Sequence, residues 1–167
     1  SDSNWFIAII FFFFTTLSSV ALAEPWPTTK FYVYEGEPWT SKYTGVNDVG
    51  KIIQGVHDMD IPKPASVPLT SELRYEIEEY LGEVAREYQK YFPAPRLESP
   101  VERDDGAQAY RIYYFDIPGS EPALARYSNE CSDSFRFRIE VNAATLTSGG
   151  KITAKGYGDL AHELFHA

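Results

Sequence analysis

The chain has 167 residues, a length that suffices for one domain with its own hydrophobic core. Hydrophobic residues make up 44% and charged residues 23% of the sequence, which are ordinary proportions for a globular protein. The formal net charge of −9 argues against nucleic acid or an anionic membrane as a partner, because both favour a basic protein surface.

Residues 1–23 have the composition of a targeting segment. An unbroken apolar run covers residues 6–14, and residues 21–23, Ala-Leu-Ala, form a small-x-small cleavage site. This apolar core is shorter than the about 20 residues that a membrane-spanning helix needs. The pattern favours a cleaved signal peptide, cut after Ala23, over an uncleaved anchor. It predicts a secreted or periplasmic protein without stable membrane insertion, and the absence of an initiating Met indicates a missing start.

Residues 24–69 are predicted to form an N-terminal extension or a propeptide-like segment, because six prolines remove backbone donors from them. Residues 31–34, Phe-Tyr-Val-Tyr, are a candidate short strand within it. Residues 61–68 have the composition of an extended, proline-rich linker. His57 lies in this segment and is interpreted as a surface histidine rather than a metal ligand.

Residues 70–92 show the clearest helical periodicity in the chain. Apolar and aromatic side chains recur at spacings of three and four: Leu73, Ile77, Tyr80, Leu81, Val84, Tyr88 and Tyr91. Thr70 is the predicted N-cap, and Glu72 brings a negative charge to the first turn, where the helix dipole favours it. Pro93 is predicted to stop the helix, whose tyrosine stripe is interpreted as core.

Two strands are predicted next, over residues 108–117 and 135–141. The second alternates apolar and charged residues, which is typical of a strand with one solvent-exposed face. The residues between them, 119–134, are predicted to be a polar loop. This loop contains Cys131, the single cysteine, which excludes a disulfide within the chain. Residues 147–150 are predicted to be a further loop.

The last six residues hold the most specific motif of the chain, His162-Glu163-Leu164-Phe165-His166-Ala167. Helix positions i and i+4 share one face, so two imidazoles there can bind one metal ion from the same side. Glu163 points about 100° further round the helix, where it reaches a metal-bound water rather than the metal. The H-E-x-x-H spacing predicts a zinc site with Glu163 as general base. The alternative is a buried amphipathic helix whose histidines happen to be four apart.

Asp159 lies three residues before His162 and is the predicted N-cap of this helix. It is also a candidate for orienting the imidazole of His162 from its far side, although N-capping explains it equally well.

His162, Glu163 and His166 resemble the signature of the zincin metallopeptidases. The resemblance implies an α+β fold with a backing helix, a small twisted sheet and a metal-binding helix below the sheet edge. It also implies Zn²⁺ as cofactor, a peptide or protein as substrate and a third zinc ligand after the motif. Residues 70–167 are then expected to be the N-terminal part of a zincin-like catalytic domain, with the gluzincin branch favoured over the metzincin branch.

The function expected from this resemblance is that of an exported zinc metallopeptidase. The chain as it stands is expected to stop before the third ligand, to bind zinc weakly and to be inactive. The alternatives are a catalytically inactive, zincin-like secreted binding or interaction domain, and an interaction domain with a chance motif.

Overall fold

The computed structural model describes residues 25–35, 44–46, 52–54, 63–127 and 136–167. The predicted signal peptide, His57 and Cys131 lie outside these residues. Within the described ranges, none of the helices has the length and apolar character required to cross a bilayer.

Nine strands and three helices follow one another in the described residues. They are β1 (Phe31–Tyr34), β2 (Thr44–Val46), β3 (Ile52–Gln54), α1 (Ser71–Tyr88), β4 (Val101–Glu102), β5 (Gln108–Phe115), β6 (Ala123–Tyr127), β7 (Phe137–Asn142), α2 (Ala143–Leu146), β8 (Thr147–Ser148), β9 (Lys151–Ile152) and α3 (Ala154–His166).

The main sheet has the strand order β1-β5-β7-β6, and the short β4 pairs with the beginning of β5. Strands β1, β5 and β7 are parallel, whereas β6 runs antiparallel to β7 at the end of this order. The strands β2 and β3 form a separate antiparallel pair, as do β8 and β9. The predicted α+β class is confirmed.

Helix α1 confirms the predicted start but not the predicted end. Thr70 is its N-cap, and the Thr70 hydroxyl accepts a hydrogen bond from the Leu73 amide at 3.1 Å. The helix ends at Tyr88, four residues before the predicted boundary. A helix that continued to residue 92 would bring the Pro93 ring against the carbonyl of Gln89, which is the C-cap. The chain therefore leaves the helix one turn early.

Strand β6 corrects the prediction of a loop over residues 119–134. Its five residues pair in register with β7, from Ala123 opposite Val141 to Tyr127 opposite Phe137. The segment is short and lacks the alternation of a half-exposed strand, so its sequence carried little periodic signal. The pairing with β7 makes it a strand.

The predicted loop over residues 147–150 is the centre of a tight hairpin between β8 and β9. Gly149 and Gly150 adopt φ values of 60° and 78° at its two central positions. A two-residue turn of this kind needs positive φ at both positions, which glycine adopts without steric cost.

Both long helices pack on one face of the sheet. The core between them contains Ile77 and Leu81 of α1, Leu160 and Leu164 of α3, and the sheet residues Ile112, Tyr114, Ile139 and Val141. The opposite face of β7 carries Arg138 and Glu140, which are also buried. The prediction that this strand has a solvent-exposed face is therefore wrong. The charged side chains form a buried ion pair, with 3.2 Å between Arg138 Nε and Glu140 Oε1.

Helix α3 begins earlier than predicted. Its N-cap is Thr153, whose hydroxyl accepts a hydrogen bond from the Gly156 amide at 2.9 Å. Asp159 is not the N-cap, since it lies on the second turn of the helix. The glycines at 156 and 158 lie within the helix, and Gly156 is buried at a close packing contact.

The contact at Gly156 leads to a testable prediction. A Cβ at this position would lie 2.9 Å from the Leu146 carbonyl oxygen and 3.0 Å from Ile152 Cγ2, so Gly156→Ala forces α3 away from α2. We expect a loss of about 1–3 kcal/mol of unfolding free energy in urea titrations. Gly158→Ala is the matched control, because a Cβ at Gly158 meets open space. It should stabilise the protein by about 0.5–1 kcal/mol. Equal shifts for both variants would contradict the packing described here.

Candidate metal centre

The motif lies on the last turns of α3, as the spacing predicts. The side chains of His162 and His166 project from one face of the helix, and their Nε2 atoms are 2.9 Å apart. The ring centroids are 4.4 Å apart and the ring planes are nearly perpendicular, at 82°. Both side chains are exposed to solvent. The two ring nitrogens therefore lie within hydrogen-bonding distance of each other at the exposed surface of the helix.

This pair of nitrogens fits zinc. Zinc binds imidazole nitrogen at about 2.0–2.1 Å, so two ligands of a tetrahedral site stand about 3.3 Å apart. The observed separation of 2.9 Å differs from that by a few tenths of an ångström, which small rotations of the two rings can supply. At this separation the two nitrogens can also share a hydrogen bond, in which a ring protonated at Nε2 donates to the other ring.

Glu163 is held at the edge of the sheet. Its side chain is partly buried, and its Oε2 accepts a hydrogen bond from the Ala125 amide of β6 at 2.8 Å. Ala125 lies in the segment predicted to be a loop, so the motif gave no indication of this contact. The available signal was the short run of apolar residues 123–125 between Pro122 and the polar residues from Ser128 onward.

Tyrosines of α1 fix the position of α3. The Tyr80 hydroxyl donates to the Tyr157 carbonyl at 2.9 Å, and the Tyr88 hydroxyl donates to the Ala161 carbonyl at 3.3 Å. In the other direction, the Tyr157 hydroxyl donates to the Glu76 carboxylate, a hydrogen bond that raises the pKa of Tyr157 to about 12. Tyr80 and Tyr88 thus pack at the margin of the core and also bind α3, whereas Tyr91 is exposed.

Asp159 does not join the histidines. Its carboxylate binds the ammonium group of Lys155, one helical turn earlier, at 2.7 Å. Lys155 also binds Glu121 in the segment before β6, at 2.5 Å. The structure thus links Asp159 to the start of α3 and to the β5–β6 connection rather than to His162.

The candidate centre contains two protein nitrogens. Across the described ranges, no group of three or more His, Cys, Asp or Glu side chains is placed to hold a metal ion. Catalytic zinc sites use three protein ligands, so His162 and His166 form an incomplete ligand set.

An apolar groove of about 320 Å³ borders the centre on the side of His166. Phe92 and Phe165 form one wall, with ring centroids 5.4 Å apart, and Phe165 is 55% exposed. Arg96 and Ala167 also line the groove, and the Ala167 carbonyl accepts a hydrogen bond from the Arg96 amide at 2.6 Å. The end of α3 is therefore fixed to the segment that follows α1.

No protein-family model matches this chain, and comparisons with curated proteins and with solved structures found no similar protein. A functional assignment therefore depends on the geometry around His162, Glu163 and His166.

The hydroxyl contacts of α1 give a second prediction. Tyr80→Phe removes the hydrogen bond to the Tyr157 carbonyl and should lower the unfolding free energy by about 0.5–1.5 kcal/mol. Tyr75→Phe on the same helix is the control, because the Tyr75 side chain is 65% exposed and should tolerate the change. Chemical denaturation followed by circular dichroism measures both. A Tyr80→Phe variant as stable as the wild type would show that this hydrogen bond does not help to position α3.

Proposed function

We propose that the protein is an exported zinc metallopeptidase and that His162 and His166 are two of its zinc ligands. The observation that carries the proposal is the approach of the two Nε2 atoms to 2.9 Å on one face of α3, with Glu163 next to His162 in the helix and hydrogen-bonded to β6. The spacing of four residues that brings the two nitrogens together is the spacing by which an H-E-x-x-H helix binds one zinc ion.

Each residue of the motif has a defined role in this proposal. His162 and His166 bind through Nε2 in their neutral form. The metal, when bound, supplies Lewis acidity and lowers the pKa of its water. Glu163 accepts a proton from the attacking water and passes it to the leaving amine as the peptide bond breaks.

The arrangement of the elements supports the same proposal. Helix α1 backs the sheet, and α3 lies against the same face, with Glu163 hydrogen-bonded to β6. This order is compatible with the backing helix, sheet and metal helix that the zincin resemblance implies. Among the described strands, β6 pairs with β7 alone, and such an edge strand can bind an extended peptide through its remaining outward-facing backbone groups, while its Ala125 amide binds Glu163. A peptide substrate therefore suits the site.

A second candidate is a zincin-like binding domain without catalytic activity. The observation that favours it is the two-nitrogen ligand set within the described residues. The two candidates differ in whether zinc binding is accompanied by peptide hydrolysis.

Replacement of the base separates these candidates. In the complete protein, Glu163→Gln keeps the shape of the side chain but cannot take a proton, so zinc content should stay unchanged. Peptide hydrolysis should fall by about 10²–10⁴-fold. Glu83→Gln, at an exposed position of α1, is the control and should have wild-type activity. Zinc content and hydrolysis are measured on the same samples. Hydrolysis at the wild-type rate in Glu163→Gln would remove Glu163 from the mechanism.

The ligand set gives a further prediction for the 167-residue chain. Because the candidate centre has two histidine ligands, we expect weak zinc binding and no peptide hydrolysis. Calorimetry measures the binding. His162→Ala and His166→Ala should each abolish the remaining binding, whereas alanine at the exposed Lys90 should leave it unchanged. Zinc binding that survives both histidine replacements would place the metal elsewhere.

A further inference from the structure

The hydrogen bond between Ala125 and Glu163 joins the sheet to the motif helix. Ala125 is the middle residue of β6, and its amide donates to Glu163 Oε2 at 2.8 Å. Successive residues of an antiparallel strand direct their backbone groups to alternate sides of the strand. Ala125 therefore directs its amide away from β7, while its neighbour Leu124, opposite Glu140, directs its amide toward β7.

The donor is more constrained than a side chain would be. A backbone amide has no rotamers, and β6 is fixed along its length by five residue pairs with β7. The acceptor is a carboxylate, and hydrogen bonds to a charged acceptor are shorter and stronger than neutral ones. The sheet thus sets the position of Glu163 Oε2, while α3 sets the positions of His162 and His166.

We propose that the Ala125 amide is the positioning group for Glu163. It holds Oε2 against the sheet and leaves Oε1 to exchange the proton beside the histidine pair. In the step, a water proton transfers to Oε1, the water oxygen bonds to the peptide carbonyl carbon, the C–N bond breaks, and Oε1 returns the proton to the amine nitrogen. This inference rests on the proposed function and adds a residue, 38 positions away in sequence, that the motif does not contain.

Amide hydrogen exchange, followed by NMR on the metal-free complete protein, tests the contact itself. The Ala125 amide should exchange slowly in the wild type and at least about tenfold faster in Glu163→Ala, because its acceptor is lost. The Leu124 amide, which faces β7, should exchange at the same rate in both proteins and so reports that the fold is intact. Equal rates for the Ala125 amide in the two proteins overturn the inference.

A second variant covers the case in which Glu163→Ala disturbs the fold. Ala125→Pro removes the amide at an edge-strand position whose N–H points away from β7, so no hydrogen bond between β6 and β7 is lost, and Ala125→Gly keeps the amide as the matched control. The ¹³C resonance of the Glu163 carboxyl carbon should shift in Ala125→Pro and stay near its wild-type value in Ala125→Gly. An unchanged resonance in the proline variant overturns the inference.

Steady-state kinetics of the zinc-loaded complete protein test the positioning role. Ala125→Pro should lower kcat at least about tenfold with KM nearly unchanged, and Ala125→Gly should resemble the wild type. A raised KM with unchanged kcat means that the amide binds the peptide instead, which overturns the inference. If the wild type hydrolyses no peptide while the exchange result holds, the proposed function fails and the contact serves only to fix α3.

Discussion

The attachment of α3 to both α1 and β6 is the constraint on which the candidate centre depends. A helix of 13 residues is marginal by itself in water, so packing must fix its position. Leu160 and Leu164 are buried on its inner face. Hydroxyl groups of α1 bind its carbonyls at Tyr157 and Ala161, and the Ala125 amide binds Glu163 from the sheet. These contacts leave the two histidines exposed, where they can bind a ligand from solvent.

The parallel part of the sheet explains why charged side chains are buried behind it. Strands β1, β5 and β7 are parallel, and sheets of this kind are covered on both faces. Arg138 and Glu140 lie on the face away from the helices and form an ion pair there. The Tyr113 hydroxyl donates to Glu98 at 2.6 Å on the same face, and burial, aided by this hydrogen bond, raises the pKa of Tyr113 well above its usual range. Pairing offsets the cost of removing these groups from water.

The centre combines groups of different exposure on one short helix. His162 and His166 are exposed and are held close by their spacing of four residues. Glu163 is partly buried and is held by a strand that lies far from it in sequence. The histidine pair therefore depends on local helical geometry, whereas the orientation of the carboxylate depends on the packing of α3 against β6.

The sequence by itself determined the features that depend on neighbouring residues. The cap at Thr70, the periodicity of α1, the short strand β1, and the shared face of the two motif histidines all follow from spacings of a few residues. Only the tertiary structure decided that residues 123–127 form a strand and that α3 begins at Ala154. It alone decided that the Ala125 amide binds Glu163. These features depend on contacts between segments distant in sequence, which local periodicity and propensity do not encode.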